Sequence, residues 1–179
     1  MRGSRRTPDG AGDPERDALA MLVRRPLTAA EVRKRLLERG HAAGAIDEVL
    51  RRLAAAGYVD DFKLASHYLQ ARAERGGRGP RRLLAELARR GVPDAIAQRA
   101  WRELVESGDL DPAALAAKEA RRRAAVYGGR LDRKRYAAVY NALFRAGFEP
   151  ETIRVAIDPY RHEAGGVEED PPETMDDFP

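Results

Sequence analysis

Apolar residues recur along this chain at intervals of three and four, and nowhere alternate long enough to make a strand. Val32, Leu36 and Leu37 share one helical face; Ile46, Val49, Leu50 and Leu53 share one face of the next helix. The pattern returns in Leu83, Leu84 and Leu87, followed by Ile96, Ala100, Trp101 and Leu104. It returns again in Tyr136, Val139, Tyr140 and Leu143, followed by Ile153 and Ile157. Polar residues mark where helices begin. Asp13-Pro14, Gly79-Pro80, Asp111-Pro112 and Glu149-Pro150 each set Pro at a first helical position, and Thr28-Ala29-Ala30-Glu31 is a capping box. Asp60 and Asp61 stand ready to cap a helix opening at Phe62, and Asp132 another. Together these signals predict an all-α protein with helices over 14–24, 28–39, 44–56, 61–75, 80–90, 93–107, 112–127, 132–146 and 150–160.

One ending occurs three times: Leu36-Leu37-Glu38-Arg39-Gly40, Leu87-Ala88-Arg89-Arg90-Gly91 and Leu143-Phe144-Arg145-Ala146-Gly147. An Ile follows each glycine at nearly fixed distance, at 46, 96 and 153. Glycine just past a helix supplies the left-handed conformation that other residues adopt only at a cost. Gly40, Gly91 and Gly147 are therefore read as structural, as are Asp60 and Asp61. A helix–Gly–helix unit in three copies predicts tandem three-helix repeats over 13–57, 58–108 and 109–161. Such arrays present extended binding surfaces.

Charge sharpens this picture. Residues 162–179 hold seven acids and no Lys or Arg, and with Pro171-Pro172 they read as a disordered acidic tail. All 33 basic residues and all but seven of the 29 acidic ones lie in 1–161, which gives that body a charge of +11, suited to a polyanion. Residues 1–12 lack periodicity and read as a disordered N-terminus. The chain has no cysteine and no long apolar run, which argues for a reducing compartment and against a membrane span.

Catalytic chemistry is sparse. The sequence has three histidines. His41 aligns with Val92 and Phe148 and reads as a packing residue, His67 lies beside Ser66 on a helix without forming a dyad, and His162 opens the tail. No phosphate loop, His-Glu-x-x-His or dinucleotide fingerprint occurs, so neither an enzyme nor a cofactor or metal is expected. The lone Trp101 reads as a core anchor rather than a base-stacking platform. The densest charge is at Arg75, Arg78, Arg81 and Arg82, around Gly76-Gly77 and the start of the fifth helix. Arginines beside a helix N-terminus suit an anion.

At this corner the chain resembles a known family. Gly57-Tyr58-Val59-Asp60-Asp61 … Ala65, then Arg78-Gly79-Pro80-Arg81-Arg82 … Leu87 … Gly91-Val92, is similar to the central signature of RecX regulatory proteins. Ala18-Leu19 … Arg25-Pro26 … Glu31-Val32 … Gly40 fits the first repeat, and Lys118 with Arg145-Ala146-Gly147-Phe148 … Ile153 the third. The resemblance implies an elongated, curved array of three three-helix repeats. It implies a cytoplasmic modulator that binds the RecA–single-stranded-DNA filament and suppresses ATP hydrolysis, strand exchange and co-protease activity, in recombinational repair and the SOS response.

Candidate contacts are Arg75, Arg78, Arg81, Arg82, Arg89, Arg90, Arg121 and Arg122. Looser ones are Arg33, Lys34, Arg51, Arg52, Arg123, Arg133, Lys134 and Arg135. A monomer with weak direct DNA binding is expected. The competing reading is a stand-alone basic helical DNA-binding module, against which Gln70 and Gln98 stand alone as amides that could read base edges.

Overall fold

Residues 12–162 are described by this structure, a computed structural model. The terminal segments expected to be disordered, 1–12 and 162–179, lie outside the described residues apart from Gly12 and His162. Nine α-helices fill the described residues: α1 (Pro14–Leu22), α2 (Ala29–Glu38), α3 (Ala43–Ala55), α4 (Asp61–Arg75), α5 (Pro80–Arg89), α6 (Asp94–Glu106), α7 (Pro112–Ala125), α8 (Arg133–Arg145) and α9 (Pro150–Ile157). Three of them, α1, α7 and α9, end two or three residues earlier than the apolar pattern predicts. Val23 and Val126 continue the period but are 87% and 78% exposed, so no core exists there to hold a further turn. Pro159 instead winds Asp158–Tyr160 into a short 3-10 turn.

The caps act as the sequence suggests at most starts. Thr28 and Glu31 complete a reciprocal capping box, and Asp13, Asp60, Asp111 and Asp132 each accept a backbone N–H of the first turn. Gly40, Gly91 and Gly147 adopt φ of +81°, +80° and +93°. The next residue's N–H returns to the carbonyl five positions back: His41 to Leu36, Val92 to Leu87, Phe148 to Leu143. With the glycine N–H bonded to Leu37, Ala88 and Phe144 respectively, each turn is a Schellman motif. His41, Val92 and Phe148 are buried beneath these turns. His41 also holds Asp17 on α1 through Nε2 at 2.9 Å, which makes it more than the packing residue its position suggests.

Three apolar cores result. The first contains Val32, Leu36, Ile46, Val49 and Leu53; the second Leu69, Leu83, Leu87, Ala97 and Leu104; the third Leu131, Val139, Leu143, Phe148 and Ile153. Leu115 packs against both the second and the third. Val59 and Leu110 belong to the core that precedes them, so the chain passes between cores at Asp60 and Asp111, slightly beyond residues 58 and 109. A second recurring signal explains this: Gly57-Tyr58-Val59-Asp60 and Gly108-Asp109-Leu110-Asp111 each close a third helix, bury one apolar residue and cap the next helix. The third unit ends otherwise. Leu131 donates its N–H to the Tyr160 carbonyl at 2.8 Å and accepts from His162 at 2.9 Å. His162 therefore closes the third unit rather than opening the tail.

Successive units meet through their second helices. The N-terminus of α2 lies on the turn after α5: Thr28 Oγ1 donates to the Arg90 carbonyl at 2.7 Å, and Arg90 returns two bonds to Glu31 at 2.9 and 3.0 Å. The N-terminus of α5 lies on the turn after α8: Gly79 N–H donates to the Ala146 carbonyl at 2.7 Å and Arg81 N–H to the Gly147 carbonyl at 3.1 Å. Each contact sets the positive end of one helix dipole against the negative end of another. The two carboxylates expected to cap α4 have separate tasks. Asp60 caps α4 through the Lys63 N–H, whereas Asp61 reaches back to accept the Ala29 N–H at 2.9 Å and so caps α2 of the first unit.

Candidate functional site

The middle corner is built differently from the sequence reading. The sequence points to an anion on N–H groups at the start of α5, but those of Gly79 and Arg81 serve carbonyls of the third unit. What the corner holds is an internal anion, Glu86. Its carboxylate, 10% exposed, accepts the Tyr68 hydroxyl at 2.6 Å and faces Arg78 at 3.1 Å, Arg82 at 3.5 Å and Arg89 at 3.9 Å. Burial pushes the Glu86 carboxyl up, but Tyr68 and the surrounding arginines outweigh it and hold it below the usual glutamate range. One carboxylate among three guanidiniums leaves the corner with excess positive charge. Tyr68 itself lies under Arg72 at 5.3 Å and Arg90 at 5.6 Å.

The remaining candidates separate by what holds them. Arg90 faces inward onto Glu31 with its side chain 24% exposed, so it joins the first unit to the second rather than facing a partner. Arg81 stacks on Phe144 at 4.5 Å and lies 3.6 Å from Glu149, both in the third unit. Arg122 and Arg123 both bind the buried Glu119, at 2.6 and 2.7 Å. Arg75 and Arg121 are exposed and form no ion pair with the described residues. Lys118 ties α7 to the end of α4: its Nζ donates to the Glu74 carbonyl at 3.2 Å, one residue before Arg75, and Arg121 follows one turn later on α7. Arg89, 73% exposed, and Arg122, 67% exposed, also offer their charge to solvent. Several looser candidates are paired: Arg33 with Asp47, Arg52 with Glu15 and Glu48, and Arg135 with Asp132.

Four participants escaped sequence reasoning: Glu86, Tyr68, the Glu31–Arg90 pair and Lys118 as a link to α4. Glu86 stands four residues after Arg82, a spacing that signals a helical pair. The others bridge separations of 18, 59 and 44 residues, for which no local signal exists. Beside the corner, a cleft of 380 Å³ opens between the second and third units, lined by Trp101, Leu84, Pro80 and Pro112 with Arg81 and Glu149. Trp101 thus packs on the second core with one side and lines the cleft with the other. Among the described residues no group of three or more His, Cys, Asp or Glu could hold a metal ion, and no helix is long and apolar enough to cross a membrane.

Comparison with known proteins agrees with this architecture. Residues 16–53 match the family model described as RecX, first three-helix domain, and residues 60–100 the model described as RecX, second three-helix domain. The regulatory protein RecX of Halorhodospira halophila is 35% identical over 149 residues, spanning 82% of this chain and 88% of that protein. The crystal structure of RecX from Lactobacillus salivarius superposes with a TM-score of 0.73 at 21% identity, covering 81% of this chain and 92% of that one. A second crystal structure of a regulatory protein RecX gives a TM-score of 0.71 at 20% identity, over 88% and 82% of the two chains. With its three-helix units, its glycine turns and a relative of this identity along most of its length, the chain belongs to the RecX family of regulatory proteins.

Proposed function

We propose that this protein binds the RecA–single-stranded-DNA filament and restrains it, lowering ATP hydrolysis, strand exchange and co-protease activity. Family membership supports the partner, and the charge distribution supports the mode. The observation that carries the mode is the link between α4 and α7 through Lys118, whose Nζ reaches the Glu74 carbonyl next in the chain to Arg75, with Arg121 one turn later on α7. Arg78, Arg82 and Arg89 share a single carboxylate next to them, so positive charge is in excess there, and Arg75 and Arg121 form no ion pair with the described residues. Arginines pre-oriented by an internal anion lose less side-chain freedom on meeting phosphates or carboxylates. The second and third units act as one surface here.

The test is RecA ATPase on single-stranded DNA, with naked-DNA binding measured at the same salt. Wild type should inhibit the ATPase, and Arg75→Ala with Arg121→Ala should weaken inhibition while the melting temperature holds. If both arginines meet phosphates, the slope of log affinity against log salt should fall by about 0.7 for each. If they meet RecA carboxylates, naked-DNA binding should be unchanged. A wild-type protein that leaves RecA ATPase unaltered at saturating filament binding would remove the restraining role, and one that binds naked DNA but no filament would favour a stand-alone DNA-binding module.

A further inference from the structure

We propose that Phe178 of the acidic C-terminal segment seats in the cleft between the second and third units, with Asp176 and Asp177 against the arginines at its rim. The 380 Å³ cleft has apolar walls, Leu84, Pro80 and Pro112 beside the half-buried ring of Trp101, and one charged pair, Arg81 with Glu149. Its volume lies within the roughly 300–1,000 Å³ of sites that enclose a small ligand, and so takes one large side chain. A wall that includes an indole face favours an aromatic occupant, through offset or edge-to-face contact.

This chain has one aromatic residue outside the described residues, and it is Phe178. The N-terminal residues 1–11 hold no aromatic and carry Arg2, Arg5 and Arg6 against Asp9, the wrong sign for an arginine rim. Residues 163–179 carry seven acids and no Lys or Arg. The rim is positive. Arg81 adjoins the corner where Arg78, Arg82 and Arg89 share Glu86, so four guanidiniums stand against the two carboxylates Glu86 and Glu149. A further carboxylate, Asp111 before Pro112, accepts the Ala113 and Ala114 N–H groups of α7. Asp176 and Asp177 immediately precede Phe178, so a ring in the cleft brings two negative charges to that excess.

The length of chain fits the distance. From Glu149, at the start of α9, the backbone runs through α9 and the 3-10 turn to His162, a span of at most about 25 Å. Phe178 lies sixteen residues beyond His162, a reach of roughly 50 Å when extended. The tether exceeds its span about twofold, which leaves length to reverse direction, and it holds Phe178 near the cleft at a concentration of roughly millimolar. One ring and a few screened charges make a weak contact, which such a concentration suffices to populate.

Trp101 is the only tryptophan of the chain, so its fluorescence reads this cleft directly. Full-length wild type, Phe178→Ala, and the double variant Asp176→Asn, Asp177→Asn are compared by emission wavelength and acrylamide quenching. RecA and DNA are left out, so the outcome is independent of the filament reading. A contact of millimolar strength is about half occupied under this tether, so Phe178→Ala should raise the quenching constant about twofold and move the emission to longer wavelength. Helicity by circular dichroism should stay the same. The double variant should show part of this change. Raising salt to about 0.5 M, where the Debye length is about 4–5 Å, should carry wild type toward the double variant. Equal emission and quenching in wild type and Phe178→Ala at low salt would overturn the proposal. So would a difference that grows with protein concentration, which places the ring in the cleft of a second copy.

Discussion

The contact between the first and second units and the contact between the second and third have the same topology and opposite chemistry. The first is made by side chains: the Thr28 hydroxyl on the Arg90 carbonyl, Asp61 on the Ala29 N–H, and Arg90 on Glu31. The second is made chiefly by backbone, with Gly79 and Arg81 donating directly to Ala146 and Gly147 and the Arg81 side chain lying on Phe144 near the exposed Glu149. A side-chain junction tolerates distance between main chains but depends on charge. Its backbone bonds do not depend on charge but require glycines, since a Cβ at Gly79 would lie 2.4 Å from the Gly147 carbonyl group. One architecture is thus held by two mechanisms with different sensitivities.

The contrast can be broken most severely at Gly147. Alanine there takes a left-handed conformation costing about 1–2 kcal/mol, and its methyl overpacks the Arg82 backbone at about 1–3 kcal/mol more. Urea unfolding should report the combined loss, and hydrogen exchange should show the third unit losing protection first. Arg90→Ala attacks the other junction. It leaves the half-buried Glu31 without its main partner, a loss of about 1–3 kcal/mol, with protection lost first in the first unit. Gly40→Ala is the internal control: nearly the same φ, no covering helix among the described residues, and so the conformational cost alone, about 1–2 kcal/mol. Equal losses at Gly40 and Gly147 would mean that the covering helices add nothing.

Acid should separate the junctions by a smaller margin. Burial raises the Glu31 carboxyl, but Arg90 and the Thr28 N–H outweigh it and leave it below the ordinary value of 4.5. A depressed carboxylate contributes stability above its unfolded value and loses it as pH falls through the folded one. Asp61 shifts the other way: burial, with Asp60 and Glu31 nearby, holds it above 3.8 despite the Ala29 N–H, so the folded state takes its proton first and acidification favours the fold there. Glu31→Gln should therefore flatten the acid limb of stability against pH, and Asp61→Asn should steepen it. The backbone bonds of the second junction carry no titrating group. Protection of α2 should fall below pH 4.5 before that of the α5 N-terminus, which amide exchange at neutral and acid pH would compare.

How much of this was legible in the chain follows from the range of each signal. Caps, Schellman glycines and apolar stripes act within about a turn of backbone, so Thr28 with Glu31, Asp111-Pro112 and Gly91 with Val92 announce themselves. The sequence therefore determined an all-helical protein, its helix starts and its three glycine turns. It also held the Gly-x-apolar-Asp signal at Gly57 and Gly108, which is legible only once the burial of Val59 and Leu110 shows that the glycine, the apolar residue and the cap act together. The arginines showed charge without destination. Arg75, Arg78, Arg81, Arg82 and Arg90 look alike in sequence, yet one is unpaired, two share Glu86, one stacks on Phe144 and one locks onto Glu31. Those assignments join residues up to 63 positions apart (Arg81 and Phe144) that only the docking of one unit on another brings within a few ångströms. A guanidinium on a helix surface has the same local environment in every unit. What it binds is fixed by which carboxylate or ring the neighbouring unit places against it, and that is decided by tertiary structure alone.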